Sequence, residues 1–373
     1  MALSPNRVEI DLSALAHNLG QVKKLVGTGT RIMGIVKSDA YGHGDVPVAR
    51  TLEKNGIDCL GVSHLHEALG LRGNGIKAPV IILSGIHTRE QAHEVIDKRL
   101  TPVVYDVASA GILAEECAGT GKTVHIHLKV DTGMGRLGVT DSDLGPFMRQ
   151  IKTLKGLHIE GLMSHLSSAD EPTGDFTEGQ IKKFRKAIEL GRSMGLALPL
   201  NNLANSAGII AHRSAHFDLV RPGIVLYGGL PSPEFRNPLV LRPVMTFKGR
   251  ILQVRDLPDH TPVSYGRSYY TEGRRKIAVL SAGYANGLLR SLSNRGKVLI
   301  GNRKVSIVGR VCMNLVMADI SDINNVVPGS EAVFLGLQGR ETINGDHMAR
   351  WGNTISYEVF CSIGQRNPRE YIQ

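Results

Sequence analysis

The sequence predicts an α/β protein, made of a (β/α)8 TIM-like barrel followed by a mostly antiparallel β domain. The first observation is a run of eight short β-rich segments before residue 225, most of them separated by helical patterns. The second is a change after about residue 240 to Val- and Ile-rich segments with little helical patterning. We therefore predict that residues 1–240 form the barrel and that residues 241–373 form the β domain.

The predicted barrel strands are short and rich in β-branched residues, as buried parallel strands are. They cover 31–36, 58–62, 79–83, 102–105, 123–130, 159–165, 200–204 and 217–220. Two predicted helices have recognisable starts, since Asp11 can cap one and Thr177 with Gln180 can open another. Their apolar faces consist of Leu12, Leu15, Leu19 and Val22 in the first helix and Ile181, Phe184 and Ile188 in the second.

The predicted strands of the second domain are separated by turn signals such as Gly301-Asn302. They cover 244–254, 276–281, 296–300, 304–308, 311–320 and 331–335. The region from Pro231 to Pro243 contains four prolines, and we predict that it links the two domains.

The composition is typical of a soluble globular protein, with 42% hydrophobic and 21% charged residues among 373. We expect neither a membrane span nor a signal peptide, because no apolar run is long enough to cross a bilayer and no apolar core follows the N-terminus. The four cysteines lack metal-type spacing, so we expect reduced thiols, no metal site and a cytoplasmic location. The net charge of +10 is spread along the chain, which argues against nucleic-acid binding and favours a field that attracts small anions.

Lys37 closes the apolar run 32–36, where the carboxyl end of a parallel strand opens into the mouth of the barrel. Apolar surroundings lower the pKa of an amine and keep it available as a nucleophile or Schiff-base partner. Tyr41, Gly42 and Gly44 follow closely and supply a hydroxyl and two unhindered backbone turns suited to an anionic group. A lysine at a strand end is usually only a surface charge, but these neighbours favour a reactive amine.

Other polar residues fall at the carboxyl ends of later predicted strands. Arg136 follows the fifth strand, His165 ends the sixth, Asn205 and Ser206 follow the seventh, and Arg221 follows the eighth. Each of them alone is typical of a structural residue. Together they fall at the one rim where barrel enzymes carry their active sites, and the ends of strands seven and eight commonly bind phosphate.

Several motifs in order resemble those of one family. The stretch IVKSDAYGHG, followed by DTGMGRLG, ANSA, RPGIVLYG and VSYGRSYY, is similar to the motifs of alanine racemases, and the similarity extends over nearly the whole chain. These are fold-type III enzymes in which a lysine covalently holds pyridoxal 5'-phosphate. The resemblance implies a homodimer with composite active sites that interconverts L- and D-alanine and supplies D-alanine for cell-wall peptidoglycan.

Carried over residue by residue, the resemblance implies two bases for the reaction. Lys37 is one, and Tyr265, contributed by the partner subunit, is the other, with His165 as the neighbouring cation that favours its phenolate. Arg136 resembles the arginine that contacts the cofactor phenolate and the substrate carboxylate. Arg221 would lie near the cofactor ring nitrogen, where a guanidinium that keeps its proton leaves the pyridine neutral and a weaker electron sink.

The resemblance also implies roles in binding. Met313 resembles the partner-subunit residue whose backbone meets the substrate carboxylate, and Lys129 matches a lysine that is carbamylated in some members and orients Arg136. The implied phosphate ligands are Tyr41, Ser206, Gly223, Ile224 and Tyr357. The implied entryway consists of Asp170, Tyr284, Arg290, Arg310 and Ile355.

Three positions depart from the family pattern, since Met163 and Ser164 stand where an aromatic residue and threonine are commoner and Asn314 stands where aspartate is usual. They leave a broader-specificity racemase, acting for example on serine or basic amino acids, as an alternative. A fold-type III decarboxylase needs a glutamate near the ring nitrogen, and Arg221 argues against it. A pyridoxal-phosphate-binding protein without turnover usually lacks the β domain, so the presence of that domain and of Tyr265 argues for catalysis.

Overall fold

The structure is a computed structural model that describes residues 4–171, 174–232, 235 and 238–373. The first strand, β1 (Arg7–Asp11), belongs to the second sheet described below. The barrel strands are β2 (Arg31–Ile35), β3 (Cys59–Val62), β4 (Val80–Ile82), β5 (Thr101–Val104), β6 (Val124–Lys129), β7 (Leu157–Met163) and β8 (Leu219–Val220). They are parallel and lie in the order β7-β6-β5-β4-β3-β2-β8. Seven of the eight predicted barrel strands are thus confirmed to within two residues at each end.

The seventh predicted strand is reduced to single-residue bridges that close the barrel. Asn202 bridges Met163 on one side and Leu219 on the other. A longer ladder does not form there because the backbone N–H of Leu162 donates to the side chain of Asn201, at 3.0 Å, instead of to a backbone carbonyl.

Helices alternate with the barrel strands. They are α1 (Leu12–Val26), α2 (Lys37–Tyr41), α3 (Asp45–Lys54), α4 (Leu65–Gly73), α5 (Arg89–Asp97), α6 (Val107–Thr120), α7 (Asp141–Thr153), α8 (Asp175–Ser193) and α9 (Ser206–Ala211). The predicted cap of α1 is confirmed, since the Asp11 carboxylate accepts the Ala14 N–H at 2.9 Å. The predicted start of the second helix was wrong, because α8 begins at Asp175, after Gly174 in the left-handed region, and Thr177 lies buried inside it. The apolar faces predicted for both helices are buried.

The second sheet contains a closed ring of antiparallel strands in the order β9-β12-β15-β14-β13-β16, with β16 pairing back to β9. The strands after the barrel are β9 (Met245–Leu257), β10 (Pro262–Val263), β11 (Tyr269–Tyr270), β12 (Arg275–Leu280), β13 (Lys297–Ile300), β14 (Arg303–Val308), β15 (Val316–Asp319), β16 (Glu331–Gln338), β17 (Glu341–Ile343) and β18 (Arg369–Ile372). The mostly antiparallel character predicted for this region is confirmed. The predicted strand 311–320 is shorter than expected, because 309–315 form a loop before β15.

The two ends of the chain meet at the edge of this sheet. β1 pairs antiparallel with β9 and parallel with β18, which the sequence did not predict. Two helices follow β17, α10 (Gly345–Gly352) and α11 (Ser356–Gly364), so the expectation of little helical structure was wrong there. α11 buries Val359, Phe360 and Ile363 on one face, at the spacing that an amphipathic helix needs.

One contiguous cluster of buried hydrophobic residues runs from the barrel into the second sheet. The predicted linker includes residues 233, 234, 236 and 237, which lie outside the described residues. We keep the division at residues 240 and 241 as a proposal. Within the described part of the chain, no helix combines the length and apolarity needed to cross a membrane.

Candidate active site

A cavity of about 380 Å³ opens at the carboxyl ends of the barrel strands. It brings together most of the residues that the sequence singled out: Lys37, Tyr41, Lys129, Arg136, Met163, His165, Asn205, Ser206, Arg221, Gly223, Ile224 and Tyr357. The lining is completed by Ile35, Ser63, Leu83, Ser84 and Leu137. Four lining side chains are Lys or Arg, and none of the described lining residues is Asp or Glu, so the cavity favours anions.

Lys37 follows β2 and begins a turn of unusual hand. Residues 38–41 have φ between 51° and 56°, the left-handed region that non-glycine residues rarely adopt. The turn ends at Gly42, whose φ is 82° and where a Cβ would lie 2.5 Å from the carbonyl oxygen of Phe360 in α11. Strained backbone of this kind persists only where the surrounding packing holds it, and here α11 lies directly against it.

Neutral donors surround one end of the cavity. A Cβ on residue 223 would lie 2.5 Å from the Tyr41 hydroxyl oxygen, so only glycine lets the backbone approach that hydroxyl. The Gly223 N–H donates to the Ser206 Oγ at 3.0 Å, and the Tyr357 ring lies 5.7 Å from the Tyr41 ring. Three hydroxyls and a glycine backbone therefore form a cradle that fits the phosphate of pyridoxal phosphate.

The Arg221 guanidinium is buried and fixed by four hydrogen bonds. Its Nη1 donates to the Asn202 Oδ1 at 2.5 Å. The two N–H groups of its Nη2 are shared among three acceptors, the carbonyl oxygens of Ser164 and Leu203, at 2.6 and 3.0 Å, and the His165 Nδ1, at 3.1 Å. Because arginine only donates, the His165 Nδ1 accepts, and the proton of that neutral ring lies on Nε2. Among the described residues, the Nε–H of Arg221 has no hydrogen-bond partner, which leaves this donor for an acceptor in the cavity.

Burial and neighbouring cations lower the pKa values of the basic groups. Burial, followed by Arg136, lowers the pKa of Lys37. Burial, with Arg221 and Arg136, holds the pKa of Lys129 well below its ordinary value. Burial, followed by the positive charge of Arg221, holds the pKa of His165 well below its usual value. The contact with Arg221 and the lowered pKa therefore argue against the cation expected at His165 and favour a neutral ring that donates from Nε2.

The loop that carries Arg136 is organised by Asp131. Its carboxylate accepts the backbone N–H groups of Gly133 and Met134, both at 2.8 Å, and of Gly135, at 3.0 Å. These bonds connect the end of β6, where Lys129 lies, to the segment that turns the arginine back over the cavity.

Tyr265 and Met313 do not line this cavity within one chain. Tyr265 is 70% exposed and Met313 is 57% exposed, which is unusual for large apolar side chains. Tyr265 lies on a strained turn, since Ser264 and Arg267 both have positive φ values, of 68° and 49°. Asn314, next to Met313, is also exposed, so of the three departures from the family pattern only Met163 lines the cavity within one chain.

All five implied entryway residues are exposed or partly exposed, and none lines the cavity within one chain. Arg310 adjoins the Tyr265 turn, because the Ser264 hydroxyl donates to the Arg310 carbonyl oxygen at 2.7 Å. Tyr284 lies beside the loop of Met313, since its N–H donates to the Cys312 carbonyl oxygen at 2.9 Å. Arg310 and Tyr284 thus lie close to Tyr265 and Met313 on the exposed surface of the second domain, whereas Asp170 belongs to the barrel.

Sequence reasoning missed two residues that support the site. Asn202 holds Arg221, and the signal for it was the polar pair Asn201-Asn202 inside an otherwise apolar strand segment. Glu67 contacts the turn after Lys37, but it lies 30 residues away on α4, and its place three residues after His64 is a signal for a helix cap alone.

Comparison with known proteins identifies the family. A family model described as alanine racemase, N-terminal domain, matches residues 10–231, and one described as alanine racemase, C-terminal domain, matches residues 244–371. The chain belongs to the alanine racemase family. As a member, it is an isomerase that depends on pyridoxal phosphate and interconverts L- and D-alanine, and the alternative of a broader-specificity racemase is not favoured.

Individual alanine racemases agree with this assignment. That of Syntrophobacter fumaroxidans is 43% identical over 364 residues, covering 98% of this chain and 96% of the relative. The crystal structure of the enzyme from D-cycloserine-producing Streptomyces lavendulae has a TM-score of 0.94 and 32% identity, covering 100% of this chain and 98% of that one. The enzyme from Bartonella henselae, solved with covalently bound pyridoxal phosphate, has a TM-score of 0.87 and 28% identity, covering 98% of this chain and 99% of that one.

Proposed function

We propose that the chain racemises alanine with two bases, Lys37 of one subunit and Tyr265 of the partner subunit. The observation that carries this proposal is the division of the site. Lys37 lies in the cavity beside the phosphate cradle, whereas Tyr265 lies outside it and is largely exposed. A racemase needs bases on opposite faces of the α-carbon, because a proton leaves one face and another arrives at the opposite face.

The proton transfers take place at the Lys37 Nζ and the tyrosine hydroxyl oxygen. The lowered pKa of Lys37 favours the unprotonated amine, which accepts the α-proton in one direction and donates in the other after it is charged. The Nε2–H of neutral His165, with the positive charge of Arg221 behind it, would stabilise the phenolate of the partner's Tyr265. Pyridoxal phosphate, when bound, would supply the electron-withdrawing ring that stabilises the charge left on the α-carbon.

Arg221 would hold the ring nitrogen through its free Nε–H. Since the guanidinium keeps its proton, the pyridine stays neutral and withdraws electrons less strongly, which favours rapid return of the proton over side reactions. Four hydrogen bonds to protein groups keep this side chain in place and support the assignment. The cradle of Tyr41, Ser206, Gly223, Ile224 and Tyr357 would bind the phosphate.

Arg136 and the backbone of Met313 of the partner subunit would bind the substrate carboxylate. Lys129 would orient Arg136 as a carbamate. Its depressed pKa favours the unprotonated amine, which is the form that reacts with CO2. The carbamate would place a negative charge among cations in a cavity lined, as far as it is described, by no carboxylate.

The assembly that this division requires is a homodimer with two composite sites. Exposed residues of both domains would then form the entryway to the composite cavity: Asp170 of the barrel, with Tyr284, Arg290, Arg310 and Ile355 of the second domain. D-Alanine made in this way would serve cell-wall peptidoglycan. The four cysteines are free thiols, which supports a reducing, cytoplasmic setting.

Substitution of Lys37 tests the central assignment. Lys37→Ala should abolish racemisation and the covalent attachment of the cofactor, whereas Lys77→Ala, which removes an exposed lysine, should change neither. The attachment is measured by borohydride reduction followed by peptide mass spectrometry. A reducible lysine adduct in the Lys37→Ala protein would show that another lysine holds the cofactor.

A further inference from the structure

The carboxylate of Glu67, on α4, joins the loops that follow two neighbouring barrel strands. Its Oε1 accepts the backbone N–H of Ser38, the residue after Lys37, at 2.5 Å. Its Oε2 accepts the N–H groups of Ser63 and His64, which follow β3, at 2.7 and 2.8 Å. One side chain thus connects the first residue of the left-handed turn to the start of α4.

The helix cap of α4 accounts for the hydrogen bonds of only one of the two Glu67 carboxylate oxygens, Oε2. In the next helix, Gln91 occupies the same capping position, and its amide oxygen accepts the N–H groups of His87 and Thr88, at 2.7 and 3.3 Å. Among the described residues, the Gln91 side chain makes no hydrogen bond to the turn after Lys37. A capping role therefore requires an acceptor at the position of the Glu67 Oε2, while the bond from Oε1 to Ser38 is additional.

Charge gives the same carboxylate a second effect on Lys37. Burial and the cations Arg136 and Arg221 lower the pKa of the amine, while Glu67 and, more weakly, the thiol of Cys361 oppose this shift. No carboxylate lines the cavity among its described residues, so Glu67, just outside the lining, is the acidic side chain that counters the two arginines. The negative charge of Glu67 also acts on Asp45, as the smallest of the influences that raise the pKa of that carboxyl after burial and Asp39.

We propose that Glu67 is a positioning residue for Lys37, whose carboxylate fixes the first residue of the left-handed turn and places a negative charge beside the amine. The bond to Ser38 stabilises a backbone that would otherwise leave the left-handed region, and with it the direction in which Lys37 enters the cavity. Of the two tests below, only the one that measures the racemisation rate depends on the proposed function of Lys37.

Glu67→Gln separates the two roles, because glutamine is also a capping residue. Its single amide oxygen would stay with the two N–H groups of Ser63 and His64, and its NH2 would face the Ser38 N–H, where donor meets donor. The variant should retain the helix cap and lose both the bond to the turn and the charge. Gln91→Ala is the matched control, since it removes the cap of the neighbouring helix and leaves the Lys37 turn untouched.

The deciding measurement is the pH dependence of Lys37 acylation in the full-length apoprotein, with acetic anhydride as the probe and peptide mass spectrometry as the readout. The midpoint should move to lower pH in Glu67→Gln and stay at the wild-type value in Gln91→Ala.

In the loaded enzyme, kcat/KM for alanine should fall by about tenfold or more in Glu67→Gln, mainly through kcat. A wild-type midpoint and wild-type kcat/KM in Glu67→Gln would show that Glu67 is only a helix cap. Retained activity in Lys37→Ala would overturn the proposed function instead, and the acylation midpoint would still test Glu67.

Discussion

Two buried histidines predict a loss of stability in mild acid. His43 and His127 are 0% and 1% exposed, and the Nε2 of the first and the Nδ1 of the second have no hydrogen-bond partner among the described residues. Burial lowers the pKa of His43 to about 3 and that of His127 to about 4, from an ordinary value of 6.5. In the unfolded chain both rings take up a proton near pH 6.5, while in the folded chain they stay neutral well below that pH.

The sign and size of the effect follow from this difference. Between the folded and unfolded pKa values the unfolded chain binds more protons, so the stability present above about pH 6.5 is lost as the pH falls. A pH of about 5 lies about 1.5 units below the pKa of each ring in the unfolded chain. At 1.36 kcal/mol per unit, each ring therefore lowers the free energy of unfolding by about 2 kcal/mol. The two rings together remove about 4 kcal/mol, a large part of a typical stability of 5–15 kcal/mol.

The assay is urea unfolding followed by circular dichroism at about pH 7.5 and about pH 5. His43→Asn keeps a donor near the Ala40 carbonyl oxygen, which the His43 Nδ1 contacts at 2.9 Å, and removes the titration. It loses the contact with the Tyr227 ring and should be less stable at the higher pH, but its loss of stability on acidification should be smaller than that of the wild type by about 2 kcal/mol. His260→Asn, at an exposed ring, is the control and should follow the wild type. Equal losses in all three proteins would mean that the folded protein accommodates the His43 imidazolium, and the burial argument would fail.

Three further predictions concern the active site. Mixed Lys37→Ala and Tyr265→Ala subunits should regain part of the racemase activity after subunit exchange, since some heterodimers would hold one intact site; no recovery despite demonstrated exchange would argue against shared sites. Arg221→Glu should favour a protonated ring, slow racemisation and raise transamination, measured as pyruvate formed per racemisation turnover, and a normal ratio would mean that Arg221 is not the ring partner. Gly223→Ala should weaken the binding of pyridoxal phosphate, measured by equilibrium dialysis, because the new Cβ would meet the Tyr41 hydroxyl at 2.5 Å; wild-type affinity would exclude this cradle.

The barrel and the contents of its rim could be predicted from the sequence because both depend on local signals. Short β-branched runs end at polar residues, and parallel strands bring those ends to one place, as Lys37, His165 and Arg221 show. The left-handed turn at 38–41 could not be predicted, since none of these four residues is glycine and the conformation is held by distant contacts. One of these is the ion pair between Asp39 and Arg369, which joins residues 330 positions apart.

Separation along the chain also explains which features of the second domain the sequence did not predict. β1 has the alternating burial of a strand, but its partners in β9 and β18 lie more than 230 residues along the chain. The exposure of Tyr265 could not be predicted from its own segment either, where a half-buried strand residue is the usual reading of such a tyrosine. Its turn has positive φ at residues 264, 266 and 267, which is not the backbone of a strand, and the ring is largely exposed.

The charge of the cavity connects cofactor binding to the reactivity of Lys37. Lys37, Lys129, Arg136 and Arg221 line one cavity, and burial together with the charges of Arg136 and Arg221 lowers the pKa of both lysines. An empty cradle therefore favours the unprotonated Lys37, which is the form that attacks an aldehyde. A phosphate that enters the cradle brings negative charge and must raise the pKa of the nearby amines, because a ligand that binds more tightly to the protonated form also promotes protonation. The site is thus most nucleophilic before it is loaded, and after loading the nearby anions favour the charged lysine that returns a proton to the α-carbon.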